Sequence, residues 1–242
     1  MTGIVIPDGG TIGSASDTDA ISIASDGKAT LSQKPTFSQG IENTGTIDAG
    51  TLGSSVVVPA SIGGSMVLLS SGTASNSSSI DFSGINNYSG YSKLVFIIDK
   101  IVSTSDNVAF QARIAFSGTS YKTSSYKTFS KRLSTNGAIT GDSGFSAATG
   151  VIMNNHAVNG GAGNTHGVSG TVTLHNAWHT SQEKYMQNDL VFMDNGGYLF
   201  TSIGVGTYEG SNSTDGITAV SFFFGDGNIH TGNIYMFGIK NA

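Results

Sequence analysis

Apolar side chains in this chain return at every second residue and nowhere sustain the three-to-four spacing of a helix. Val108, Phe110, Ala112, Ile114 and Phe116 share one face of a nine-residue segment, with Gln111 and Arg113 on the other. That alternation predicts a strand with one face in a core and one in water. Val168, Val172 and Leu174 share a face of a second segment, and Leu94-Val95-Phe96-Ile97-Ile98 is a continuous apolar run of the kind found in central strands. Residues 189–193, 198–205 and 217–224 add three more strands, separated by the turn-forming Asp194-Asn195-Gly196-Gly197 and by glycine-bounded 210–216. Residues 70–79 read as a serine-rich loop, 118–150 as edge strands, and 154–167 as the longest loop. Roughly nine strands at this spacing predict an all-β fold, an antiparallel β-sandwich of jelly-roll type.

Composition decides between an ordered and a disordered reading. Gly (34), Ser (35) and Thr (25) dominate, and charged residues make up only 11%, against about 25% in an average globular domain. Such a chain has a hydroxyl-rich surface. With 38% hydrophobic residues, including 13 Phe and 8 Tyr, it carries too much apolar surface to remain unfolded. The net charge of −5, with basic residues scattered, gives no footprint for nucleic acid or an acidic membrane. No apolar stretch is long enough to span a bilayer, and Met1-Thr2-Gly3-Ile4-Val5-Ile6-Pro7 lacks the basic start and apolar centre of a secretory signal. Neither membrane insertion nor Sec export is expected. With no cysteine, stability rests on packing, β pairing or oligomerisation.

Residues 1–60 differ from the rest. A Gly-Thr-Ile/Leu phrase recurs at Gly10-Thr11-Ile12, Gly45-Thr46-Ile47 and Gly50-Thr51-Leu52. Between copies, Ala20-Ile21-Ser22-Ile23-Ala24 and Ala29-Thr30-Leu31-Ser32 alternate with period two around the hairpin-type turn Ser25-Asp26-Gly27-Lys28. One or two short hairpins are not stable alone in water. Ile12, Ile21, Ile23, Leu31, Ile47 and Leu52 are therefore the expected assembly and docking residues, covered by identical neighbours about an axis or by a larger surface. Pro59 and Gly63-Gly64 mark the boundary, giving an N-terminal stalk over 1–60 and a sandwich head over 61–242.

A search for chemistry finds little. His175 and His179 have the four-residue spacing of zinc ligands on a helix, but they follow a strand, and no Glu accompanies the first. The loop 211–216 imitates the start of a calcium loop, yet Phe222 stands where a bidentate Glu is required. No metal and no cofactor is implied. Asp189, Asp194, Glu209, Asp215 and Asp226 are candidate acids for glycoside hydrolysis, but sixteen acidic residues in any sandwich supply accidental pairs. With no Gly-X-Ser-X-Gly elbow and no cysteine, an enzyme is not expected. Trp178, the single tryptophan, lies among amides and hydroxyls, where a ring can stack on a sugar or anchor an interface. Trp178, His179, Asn164 in the long loop and Tyr208 are the candidate receptor contacts.

The opening phrase from Gly10 to Gly27 resembles the start of tail-fibre and virion-appendage proteins of marine tailed bacteriophages, and Gly232-Asn233-Ile234-Tyr235-Met236-Phe237-Gly238-Ile239 resembles the last strand of the sandwich such proteins carry. The resemblance implies a homotrimer on the virion surface, its N-terminal part bound to other virion proteins and its head facing outward. Two roles follow from it. One is a short tail fibre that attaches to a host-surface glycan or protein. The other is a capsid decoration protein whose N-terminal strands bind and stabilise the shell, a reading favoured by a shaft of only sixty residues.

Overall fold

The computed structural model of the chain describes residues 11–14, 17–26, 28–31, 66–135, 139–154, 158, 160, 166–194 and 196–240. Ile47, Leu52 and Asn164 lie outside the described residues. The chain divides into two compact units, Met1–Val56 and Val57–Ala242, a few residues ahead of the break expected after Ala60.

In the first unit, β1 (Thr11–Ser14), β2 (Asp17–Ile23) and β3 (Ala29–Leu31) form an antiparallel sheet in that order. Asp26 shapes the β2–β3 turn by accepting the Lys28 N–H at 3.2 Å and pairing with its ammonium at 2.8 Å. That ammonium is also the main cause of the lowered Asp26 carboxyl pKa. Ile12, Ile21 and Leu31 stand in one row across the three strands. Ile12 and Leu31 are each 46% exposed, while Ile21 and Ile23 are half-buried.

The second unit is an antiparallel β-sandwich. In chain order its strands are β4 (Met66–Ser77), β5 (Ile80–Ser83), β6 (Tyr91–Ser103), β7 (Phe110–Ala115), β8 (Tyr126–Ser134), β9 (Ile139–Ala148), β10 (Val151–Ile152), β11 (Val168–His175), β12 (Tyr185–Met193), β13 (Leu199–Tyr208), β14 (Ala219–Phe224) and β15 (Ile229–Lys240), with a 3-10 turn at Ile85–Tyr88. One sheet has eight strands in the order β4-β15-β6-β11-β12-β13-β8-β9, and the other has four, β10-β7-β14-β5. The continuous apolar run 94–98 lies in β6, between β15 and β11, as its pattern predicts.

The layers meet through aromatic rings. Phe222 of β14 has its centroid 5.0 Å from Phe96 of β6, 5.9 Å from Phe110 of β7 and 6.2 Å from Phe82 of β5. Phe96, Phe110 and Phe222 are fully buried. Tyr126 of β8 is buried too, and its hydroxyl replaces a missing ladder partner. The Ile114 N–H donates to it at 2.8 Å, and the hydroxyl donates to the Lys122 carbonyl at 3.3 Å. Burial raises the Tyr126 pKa well above its ordinary value, the Ile114 hydrogen bond opposing, so the phenol stays neutral.

Beyond the aromatic centre the inner face of the large sheet is deliberately small. Ser202 and two glycines, Gly204 and Gly206, face inward on β13, and a Cβ on Gly206 would stand 2.4 Å from a Val151 methyl. The segment after β10 fills that space. The Met153 carbonyl accepts from Asn188 Nδ2 at 2.8 Å and from Ser202 Oγ at 3.0 Å, while buried Asn154 accepts the Phe110 N–H at 2.6 Å. These bonds pin the segment that follows β10.

Three expectations require correction. The serine-rich stretch from Ser70 is not a loop, because β4 runs through it to Ser77. It pairs with β15 along its length, so backbone hydrogen bonds at the edge of the sheet carry it, not apolar content. Gln111 and Arg113 are not on a wet face. The chain folds back beside β7 through an Ala115–Tyr121 bridge, placing the Arg113 guanidinium 5.1 Å from the Tyr121 centroid and 4.7 Å from that of Phe223, while Gln111, 7% exposed, accepts from Thr149 Oγ1 at 3.4 Å. Strand β8 is internal to its sheet, between β13 and β9.

Truncating Phe222 to Ala is expected to cost about 3–5 kcal/mol, read from urea unfolding. Tyr126→Phe, which leaves the buried Ile114 N–H without its acceptor, is expected to cost about 1–3 kcal/mol.

Candidate functional site

The turn that follows β11 carries Trp178 and His179 and is held from every side. Asn176 takes a left-handed conformation (φ 58°), and its carbonyl accepts the His179 N–H at 3.1 Å. Asn and Asp tolerate that region better than other side chains, which is why the chain reverses here. The Ala177 carbonyl accepts the Ile217 N–H at 2.8 Å, and Trp178 Nε1 donates to the Ile85 carbonyl at 2.8 Å. Ile85, buried in the 3-10 turn, in turn donates its N–H to the Thr218 carbonyl at 3.1 Å. The indole therefore links two loops that are 93 residues apart in the chain.

Lys184 closes the arrangement. Its side chain is buried (2% exposed), and the ammonium donates to the carbonyls of His179 at 2.6 Å, Gln182 at 2.5 Å and Thr214 at 2.8 Å. An ammonium has three donors and all three are used. Desolvation lowers its pKa, opposed by the carboxylates of Glu183 and Asp215. The loop that imitates a calcium site thus offers its Thr214 carbonyl to a lysine. Among the described residues no three His, Asp or Glu side chains converge as metal ligands.

Beside the turn lies a shallow groove of about 310 Å³ lined by Ser89, Tyr91, Ser92, Trp178 and His179. Trp178 and Tyr91 are half-buried, and the other three are exposed. The Tyr91 ring lies against the backbone of Gly238, where a Cβ would approach it to 2.4 Å. Ser92 Oγ donates to the Ile239 carbonyl at 2.9 Å. Two aromatic rings fixed by packing, with serine hydroxyls and an imidazole at the rim, match a ligand with both an apolar face and hydroxyls.

Of the expected contacts, the structure brings Trp178 and His179 together. Tyr208 is corrected: it is 6% exposed, its ring packs 5.3 Å from Tyr126 and 5.5 Å from Phe116, and its hydroxyl donates to the Ser211 carbonyl at 3.3 Å. Inward alternation along β13 places it in the core with Ser202 and Phe200. Ser89, Tyr91 and Ser92 escape sequence reasoning. Their composition, Asn-Tyr-Ser-Gly-Tyr-Ser over 87–92, is as polar and aromatic as the Trp178 segment, but only the sandwich makes the two neighbours.

Three of the acidic candidates are tied into local structure. Asp194 Oδ1 accepts the N–H groups of Gly196 at 2.9 Å and Tyr198 at 2.8 Å, Glu209 pairs with Lys127, and Asp215 accepts from Asn212 at 2.7 Å. His175, half-buried on the outer face of β11, titrates below the ordinary histidine value. Desolvation is the main cause and the charge of Lys93 the second, with a Gln187 hydrogen bond working the other way. No protein-family model matches the chain, and no curated protein matches it.

Replacing Lys184 with Met leaves three carbonyls without a donor. Hydrogen exchange at the His179 and Ile217 amides is expected to accelerate by about tenfold or more through local opening. His175 gives a pH test. Its folded pKa lies below the unfolded one, so between the two the unfolded chain binds more protons and stability falls as pH drops. Wild type is expected to lose more melting temperature between pH 7 and pH 5 than His175→Gln, the difference being small because the ring is partly solvated.

Proposed function

We propose that this protein is a non-enzymatic structural protein of a bacteriophage virion, a short trimeric fibre whose sandwich head attaches to the host surface and whose N-terminal sheet docks on other virion proteins. The observation that carries the attachment role is the groove at Trp178. The Trp178 wall is held by the indole–Ile85 hydrogen bond, the backbone at His179 by the triple clip of Lys184, and the Tyr91 wall by its contact with Gly238. A contact surface made rigid beforehand loses little conformational freedom on binding. The chemistry it fits is a glycan, whose C–H faces stack on the rings while its hydroxyls meet Ser89, Ser92 and His179.

The resemblance of both chain ends to tail-fibre proteins supports the virion setting. The row Ile12–Ile21–Leu31 supports docking, because three short strands with that row half open gain most by burying it against another protein. The same row favours a second reading, capsid decoration, in which the surface it meets is the shell.

Immunogold labelling of virions is expected to place the chain at the tail, whereas label over the capsid selects decoration. In host-cell and glycan-array binding with the full chain, Trp178→Ala is expected to weaken binding by about tenfold or more, and His179→Ala, an exposed change, by less. Thermal melts separate lost contact from the lost Ile85 hydrogen bond. Wild-type binding unaffected by both variants counts against the groove.

A further inference from the structure

The outer face of the eight-stranded sheet is not built for water. Across β8, β13 and β12 it exposes Phe129 (46%), Leu133 (43%), Val191 (45%), Leu199 (49%), Ile203 (49%) and Val205 (40%). A groove of about 380 Å³ runs among them, bounded by Lys131 and Gln187. Together the six side chains leave on the order of 500 Å² open, as large as the largest patches on monomers and most of the ~800 Å² per partner in a standard protein interface.

The charges on this face state which partner it fits. Hydrogen-bonded register puts Lys131 of β8, Ile203 of β13 and Asp189 of β12 in one row. All three are exposed and point outward. Leu133, Thr201 and Val191 form the next row on one side, and Phe129, Val205 and Gln187 the next on the other. The face is therefore basic on one flank, apolar along its middle strand and acidic on the other flank.

We propose that this face is covered by the same face of further copies of the chain, closed about an axis parallel to β13. Such closure brings the β8 flank of one copy against the β12 flank of the next. Lys131 then meets the neighbouring Asp189 and Leu133 meets Val191, while Ile203 and Val205 gather at the axis. An axis across the strands instead sets Lys131 on Lys131 and Asp189 on Asp189, which repel. The inference identifies a self-association surface in the head and is independent of the virion setting and of the Trp178 groove.

The absence of cysteine makes the test direct. Positions 131 and 189 of one chain are two strands apart, roughly 10 Å, beyond the ~7 Å that a disulfide spans. Full-length protein carrying both Lys131→Cys and Asp189→Cys is oxidised and run on a non-reducing gel. Expected are covalent oligomers from the double variant, monomers from either single variant, and loss of the link when Ile203→Asp is added with near-ultraviolet circular dichroism unchanged. The proposal is overturned by monomers alone from the double variant, by a single variant that links to itself, or by a link that survives Ile203→Asp.

Discussion

Four strands have to cover eight. The smaller sheet reaches only part of the inner face of the larger one, and the contact is made by the rings of Phe82 and Phe222 against Phe96, with Phe110 stacked on Phe222. Each ring pair adds about 0.5–1.5 kcal/mol beyond its buried area, so this cluster fixes how the sheets sit. The remaining inner face, along β13, is made shallow by Ser202, Gly204 and Gly206 and filled by backbone at Met153 and Asn154. Buried amides and hydroxyls meet backbone groups there, which satisfies polar atoms that rings cannot.

The loops inherit their rigidity from that arrangement. Once the sheets are locked, the turn after β11 lies against the 3-10 turn before β6 and the loop before β14, and Trp178 and Lys184 join them. The buried ammonium and the indole serve as fasteners, the indole with one side left open to the groove.

Much of the sandwich was legible in its residues. The apolar run 94–98 marks a central strand, the alternation in 168–174 marks an inner face, and the turn expected from Asp194 to Gly197 is closed by the Gly197 N–H donating to the Asp194 carbonyl. Trp178 and His179 were legible as candidates by chemical type. What misled was alternation read without its surroundings. Arg113 and Gln111 alternate with a core face, yet Tyr121 lies over the first and Thr149 meets the second, and Tyr208 has a polar tip but lies on the inward side of β13. The apolar start of β4, Met66 to Leu69, was legible as a strand, but its serine-rich half from Ser70 to Ser77 was not, because its order comes from pairing with β15.

The sequence by itself determined the class of fold, since period two permits only strands and a chain with few charges and many rings has to bury them. It determined that the N-terminal strands expose an apolar row, because Ile12, Ile21 and Leu31 belong to strands too short to cover themselves. Only the tertiary structure decided which loops meet at Trp178, that Lys184 is buried against three carbonyls, and that Lys131 and Asp189 flank Ile203 in one row. Those facts depend on contacts between residues tens of positions apart, which local periodicity does not encode and which strand order and register alone supply.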